Sequence, residues 1–358
     1  METLDLPLVF DGHNDTLLNL HLPNRGKGRS FFERSKVGHI DLPRAHEGGF
    51  GGGFFACFAP NRRQDGWSEE SALAITGSGY TVAGAPPVDP AYARGLANLL
   101  TKRLFRIEEE SAGQFDVVRT VSELESCLAS GVMAAILHFE GAENIGPDPG
   151  ALEELYDAGL RSLGLVWSRP NAYAHGVPFR FPAILDTGPG LTEAGRELVR
   201  ECNRLGILVD LSHLNERGFW NVAEMTDAPL VATHSNAHAL CPSTRNLTDL
   251  QLDAIRDSDG MVGVNFAVAF LREDGHEDED TPLETVARHV DYLVERVGLE
   301  RVGFGSDFDG AKMPKEIGDV SGLPKLLGFL RERGYGDAEL KRLAHGNWLR
   351  VLRRTWGG

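Results

Sequence analysis

Cysteine is scarce in this sequence. Four occur in 358 residues, Cys57, Cys127, Cys202 and Cys241, scattered and without a CxxC spacing. That excludes a disulfide framework and fits reduced thiols in a cytosol. Long apolar runs are missing too. None reaches the roughly 18 residues that a membrane span requires. The N-terminus, Met1-Glu2-Thr3-Leu4-Asp5, has neither the basic stretch nor the apolar core of a secretion signal. The C-terminus, Arg353-Arg354-Thr355-Trp356-Gly357-Gly358, has no hydrophobic anchor tail. These absences predict a cytoplasmic chain without a membrane partner. Basic residues are the minority, 36 Lys and Arg against 52 Asp and Glu, with a formal net charge of −16. No dense basic run occurs, which argues against nucleic acid and anionic lipid as partners. There is no Gly-Ser linker, internal repeat or low-complexity tract. One domain over 1–358 is expected.

What is present is a large supply of core residues and turns. Hydrophobic residues make up 42% and glycine numbers 42. Apolar, β-branched runs of strand length recur near 6–12, 51–58, 133–140, 162–166, 207–210, 230–233, 261–265 and 301–305. Helix-like stretches alternate with them at 91–111, 121–129, 151–158, 192–205, 215–225, 249–256 and 283–297. Two more follow, at 323–333 and 337–352. Two helices precede the third strand, so the repeat is irregular there. Most strands lack polar/apolar alternation, as expected when both faces are buried in a parallel sheet. Eight such units predict an α/β fold, a (β/α)8 TIM-type barrel with extra C-terminal helices. Three connections are long, 60–90, 168–191 and 271–282. All follow strands and so belong on the C-terminal face, where barrel enzymes keep their active sites. Unstructured loops of that length are expected to be lids or disordered. The acidic run 273–280 reads as a solvated loop.

The ends of these strands carry the chemistry. In Val9-Phe10-Asp11-Gly12-His13-Asn14-Asp15, an imidazole and a carboxylate sit two positions apart. On extended backbone, residues i and i+2 point the same way. A nitrogen and an oxygen converging beyond a strand end suit a divalent metal. Glu140 closes the third strand; His213, His234 and Asp307 follow the fifth, sixth and eighth. Parallel strands bring all these ends to one rim. Any one alone has a plainer reading: a hydrogen-bonded histidine, a helix cap, a turn aspartate. Together they predict a metal site. Three imidazoles and three carboxylates exceed the three protein ligands of a single catalytic ion. They divide sensibly into His13, Asp15 and Glu140 for one ion and Glu140, His213 and His234 for another. Glu140 would bridge ions about 3.5–4 Å apart that share a water or hydroxide. Two divalent ions balance the charge of Asp15, Glu140, Asp307 and one hydroxide, which leaves no uncompensated buried charge. His138 faces the same way as Glu140 and is expected behind the ligands. His238 falls in the turn after His234.

These residues resemble a known family over nearly the whole length. The resemblance rests on Asp11-Gly12-His13-Asn14-Asp15, His39-Ile40-Asp41-Leu42-Pro43-Arg44 and Gly48-Gly49-Phe50-Gly51-Gly52-Gly53-Phe54-Phe55. It extends through Glu140-Gly141, Asp210-Leu211-Ser212-His213, His234-Ser235, Arg245-Asn246 and Gly305-Ser306-Asp307-Phe308-Asp309-Gly310. The family is that of the membrane (renal-type) dipeptidases, zinc peptidases among the amidohydrolase-like barrels. The resemblance implies two Zn2+ per chain, held by His13, Asp15, Glu140, His213 and His234, with Glu140 bridging. Mn2+ or Co2+ suits similar ligands. It also implies that Asp307 shuttles the proton and that Arg245 holds the carboxylate of a dipeptide. Family members are often dimers, which implies a homodimer here.

One stretch departs from the family pattern. Where the family has a substrate-contacting histidine before an asparagine, this chain reads Leu165-Val166-Trp167-Ser168-Arg169-Pro170-Asn171. Trp167 stands at the histidine position, and the nearest imidazole is His175. Trp167, Asn171 and His175 are therefore candidate substrate contacts, and the departure bears on substrate preference. It leaves open a related hydrolase acting on N-acyl amino acids or lactones. A phosphotriesterase-like reading is disfavoured by His13-Asn14-Asp15 and Glu140 in place of His-x-His and a bridging lysine. A metal-binding protein without turnover fits poorly with a set complete through Asp307.

Overall fold

A computed structural model of the protein describes residues 6–22, 26, 28–62, 66–146 and 150–357. The N-terminal residues 1–5, and residues 63–65 of the 60–90 connection, lie outside the described residues.

Twelve strands are formed among the described residues: β1 (Val9–Asn14), β2 (Phe50–Phe58), β3 (Leu73–Thr76), β4 (Gly79–Val82), β5 (Phe115–Val117), β6 (Met133–Glu140), β7 (Leu160–Gly164), β8 (Arg180–Phe181), β9 (Leu208–Asp210), β10 (Val231–Ala232), β11 (Met261–Val264) and β12 (Val302–Phe304). Eight of them pair in parallel in the order β2, β1, β12, β11, β10, β9, β7, β6, and β2 pairs back onto β6. That last pairing runs from Gly52 opposite Ala134 to Phe58 opposite Glu140 and closes a barrel. The expected (β/α)8 architecture is thus present. Each of the eight anticipated runs contains or overlaps one barrel strand. The short β5 pairs with residues 133–135 of β6, below the stretch that β7 takes.

The helices begin and end for local reasons. Pro90–Glu110 starts with Asp89 accepting from the Tyr92 amide and buries Ala93, Leu96, Ala97, Leu100, Leu104 and Ile107 along one stripe. Val121–Ser130 starts with a Thr120/Glu123 capping box and stops at Gly131 in the left-handed conformation. The bottom of the barrel is closed by the C-terminal helix Asn347–Trp356. Its Trp348 is fully buried, donates to the Phe304 carbonyl at 3.1 Å and packs 5.1 Å from the Phe54 ring.

Two expectations need correction. The connection 60–90 is not structureless: it holds a helical turn, Glu69–Ala72, and the hairpin β3–β4. With β8 from the 168–191 connection, the hairpin builds an antiparallel sheet in which Tyr80 lies opposite Phe181. β3 is exposed along its length, Ile75 to 75%, so it has no buried face to announce it. The helix expected over 337–352 is interrupted. It runs as Asp337–Lys341, then a wide turn over Arg342–Gly346, then Asn347–Trp356.

One packing detail positions the functional end of the barrel. A Cβ added at Gly263 or Gly305 would fall 1.9 or 1.8 Å from the Thr233 carbonyl oxygen, and one at Gly12 would fall 2.3 Å from it. Three neighbouring strands thus crowd the backbone just before His234, and only glycine leaves room. Gly305→Ala is expected to lower stability by about 1–3 kcal/mol through overpacking. It should also reduce metal content, because His234 follows the displaced carbonyl. Thermal unfolding with metal analysis checks both.

Candidate metal centre

The six expected residues meet at the C-terminal mouth of the barrel. His13 lies near the end of β1, and Asp15 follows it at the start of the helix Thr16–His21. Glu140 is the last residue of β6. His213 and Asp307 follow β9 and β12, and each has a φ of 65°, a left-handed backbone unusual for a residue with a side chain. Such strain costs on the order of 1–3 kcal/mol per residue and persists only where the surroundings enforce it. At Asp307 the turn after β1 enforces it. The Asp307 amide donates to the His13 carbonyl at 3.0 Å, and the Asp15 amide donates to the Phe308 carbonyl at 2.8 Å.

Glu140 is the centre of the cluster. Its Oε1 lies 3.0 Å from His213 Nε2, 3.7 Å from His234 Nε2 and 3.8 Å from His13 Nε2. Asp15 Oδ2 is 3.6 Å from His13 Nε2. Among the described residues, two groups of three have ligand atoms close enough for one ion, His13–Glu140–His234 and His13–Asp15–Asp307. Both run through His13. The division drawn from the sequence grouped the ligands around Glu140 instead, and Asp307 stands closer to the ligand set than that division placed it.

The donor set fits cations. His13 Nδ1 and Nε2 and Asp15 Oδ1 are buried and have no hydrogen-bond partner among the described residues. The Nε2 atoms of His213 and His234 face each other at 3.1 Å. Two neutral imidazole lone pairs repel at that distance unless a cation or proton lies between them. Electrostatics agree. Burial pushes Glu140 well above the ordinary carboxylate range, opposed by His13. Burial opposes charge on His13 as well, but Glu140 and Asp15 outweigh it and hold this imidazole up at about 10. His213 and His234 are pushed well below the usual value by burial and by Arg245 and His13, which keeps them neutral. Asp307 keeps some exposed surface, and burial raises it.

Hydroxyls stand behind two of the imidazoles, and one of them sets a tautomer. Thr233 donates its hydroxyl to Asp210 Oδ2 at 2.6 Å and so accepts from His234 Nδ1 at 2.8 Å. Ser168 Oγ lies 2.7 Å from His213 Nδ1. The Thr233 arrangement leaves His234 Nε2 free for a metal. His138 sits behind the ligands, 2.9 Å from Ser162 Oγ and 3.8 Å from Asp210 Oδ2. Burial lowers it to about 4. Asp11 ties β1 to β12 by accepting from the Ser306 amide and hydroxyl, and burial raises it to about 7. Sequence reasoning assigned no role to Asp11, Thr233, Ser162, Ser168, Asp210 or Asn265. Asp11, Asp210 and Thr233 lie close to a proposed ligand in the chain, whereas Ser162, Ser168 and Asn265 meet His138, His213 and Asp307 only through another strand.

The remaining candidates separate. Arg245 is buried; its Nη2 donates to the His234 carbonyl at 3.0 Å, while its Nε has no partner among the described residues. Trp167 is half-buried beside the cluster, 5.9 Å from the His213 ring, with Phe58 at 5.1 Å and Phe179 at 5.4 Å. Asn171 is engaged within its own loop: its amide donates to the Leu165 carbonyl and its oxygen accepts from the Tyr173 and Ala174 amides. His175 Nδ1 lies 3.2 Å from the Gly190 carbonyl, which turns it to the loop. His238 contacts the Ala183 carbonyl at 2.7 Å. A surface cavity of about 510 Å³ opens elsewhere, between the β3–β4 hairpin and Glu273–His276, and none of the six clustered residues lines it. The orphaned ligand atoms mark the chemistry better than that opening does.

Barrel and cluster together define a metal-dependent hydrolase with its site at the strand ends. The sequence profile of the family described as membrane dipeptidase (Peptidase family M19) matches residues 4–356, and the chain belongs to that family of metallo-dipeptidases. It is similar to the metallo peptidase from Rhodobacter sphaeroides whose crystal structure is liganded with a phosphinate mimic of the dipeptide L-Ala-D-Ala. Identity is 51%, the TM-score is 0.93, and the match covers 98% of this chain and 100% of that one. A second solved structure, the metallo peptidase called dipeptidase AC, is 50% identical with a TM-score of 0.92, covering 99% of both chains. Dipeptidase verJ of Clonostachys rogersoniana is 30% identical over 355 residues, 97% of this chain and 84% of its own length.

Cations bound at Glu140 and His13 would compete with protons there, so metal binding is expected to release protons and to weaken as pH falls. The sign follows from the direction of both shifts. Each group is raised, so protons compete more strongly than at ordinary carboxylates and imidazoles. Calorimetric titration of metal-free protein in buffers of different ionisation enthalpy measures the release.

Proposed function

We propose that the chain hydrolyses the peptide bond of dipeptides and similar short substrates with a free C-terminal carboxylate, using two divalent ions, Zn2+ first among them. The observation that carries this reading is the single carboxylate oxygen of Glu140 within 3.0–3.8 Å of three imidazoles. A cation pair held by His13, Asp15, Glu140, His213 and His234 would supply Lewis acidity at the scissile carbonyl and a water ionised near neutral pH. The other parts of the reaction belong to the chain's own side chains. Asp307 takes the proton of the attacking water and returns it to the leaving amine. Its raised pKa suits both halves of that exchange, and Asn265 holds its Oδ2 at 3.0 Å. Arg245 grips the substrate carboxylate through donors that the His234 carbonyl leaves free. Burial lowers its pKa, while Asp307 and Glu140 oppose that and keep it charged.

Trp167 forms a wall beside His213 and shapes the side-chain pocket. Phe58, Trp67 and Phe179 extend that wall, at 5.1, 6.3 and 5.4 Å from the indole. This aromatic surface favours a second reading, hydrolysis of N-acyl amino acids, whose acyl chain it could pack. A parallel substrate panel separates the two. Asn171 and His175 act by holding the loop that carries Trp167. The setting proposed is cytoplasmic: all four cysteines are free and buried, and no helix among the described residues is long and apolar enough to cross a membrane. A homodimer is proposed on family resemblance alone.

Asp307→Asn should retain about two ions per chain and lose about 100-fold or more in kcat. Metal analysis beside steady-state kinetics checks it; full turnover would remove Asp307 from the reaction. Arg245→Ala should raise KM for dipeptides at least about tenfold and leave C-terminally amidated analogues unchanged. Equal effects on both would exclude the carboxylate grip.

A further inference from the structure

The turn that carries Asp307 is held from outside the ligand cluster. Asp307 and Asp309 both have positive φ, 65° and 68°. A left-handed backbone at such residues lasts only where neighbours over-determine it. At Asp309 the neighbour is His39, on the far side of the helix Thr16–His21 in the chain. The His39 amide donates to Asp309 Oδ1 at 2.6 Å. In return, the Asp309 amide donates to His39 Nδ1 at 2.8 Å. The two residues therefore clasp each other by two hydrogen bonds. The His39 ring also packs edge-on against Phe308, 5.7 Å between centroids.

The clasp continues toward the ligands. Asp309 Oδ2 accepts from the Thr16 hydroxyl at 3.0 Å, one residue after Asp15, and Arg29 Nη2 lies 3.9 Å from the same oxygen. On the other side, a Cβ added at Gly310 would fall 2.3 Å from Asp307 Oδ1 and 2.4 Å from Asp15 Oδ2. The turn is thus wedged between the clasp and two carboxylates of the cluster. A small shift at residue 309 has little space in which to be absorbed before it reaches Asp307.

We infer that His39 is a positioning residue for the reaction: its neutral imidazole, accepting at Nδ1, fixes the left-handed turn that aims Asp307 into the metal cluster. His39 contacts none of the proposed ligands, so its loss should spare metal binding. This inference rests on the proposed role of Asp307 as proton carrier. The motif His39-Ile40-Asp41-Leu42-Pro43-Arg44, read from the sequence as a family mark without a task, gains one here.

The test uses the full chain loaded with its metal. His39→Leu removes the acceptor. His39→Asn places an amide oxygen at a similar distance from the backbone. His39→Gln keeps polarity but sets that oxygen one bond too far. His39→Leu and His39→Gln should lower kcat about 10–100-fold, with KM and metal content unchanged. His39→Asn should restore most of kcat. In the Asp307→Asn background, His39→Leu should cause no further loss. If His39→Leu does not fold, the contrast between His39→Gln and His39→Asn carries the test. Unimpaired kcat in His39→Gln, or an additive loss in the double variant, would overturn the inference. The reading beneath it fails differently: an inactive wild type, or an active Asp307→Asn.

Discussion

Three carboxylates and three imidazoles cannot share one dry barrel mouth unless something positive joins them. That requirement governs the structure. Glu140 alone faces three ring nitrogens, two of which point their lone pairs at each other across 3.1 Å. Burial raises Glu140, and Glu140 and Asp15 raise His13. As the proposed ligands of cations, the same atoms would recover the energy of taking charge out of water. A hydrophobic core would be easier to build at this position; the cost of building this one is what marks it as functional.

The rest of the barrel keeps those groups where they repel each other. Glycines at positions 12, 263 and 305 let three strands close around the Thr233 carbonyl. Behind His234 stands Thr233, backed by Asp210, and behind His213 stands Ser168. On the opposite side, the turns after β1 and β12 exchange backbone hydrogen bonds, and the His39–Asp309 clasp holds the outer edge. Rigidity is concentrated around the proposed ligands. The exposed hairpin β3–β4 and the acidic stretch 273–280 lie outside it.

Much of this was legible in the chain. Buried parallel strands read as plain apolar runs, and each such run found its strand to within a few residues. The ligands could be read because their types are distinctive and because strand ends are few. Their supports could not. Ser168, Thr233 and Ser306 are ordinary residues until a second strand brings His213, His234 or Asp11 beside them. β3 and β4 were missed because an exposed hairpin has no burial pattern to betray it. Asn171 and His175 fell near the expected substrate pocket in sequence, yet their polar atoms turn to backbone carbonyls and amides of the loop.

Local pattern alone determined the architecture, the rim on which the chemistry sits, and which side chains could hold a metal. Periodicity and residue type act over a few positions, and a single strand carries that information complete. Tertiary structure decided which carboxylate oxygen stands at the centre, which nitrogen His234 presents, and how Asp307 is aimed. Those depend on distances between residues far apart in the chain, such as His39 and Asp309 or Glu140 and His213. Only closure of the barrel sets such distances.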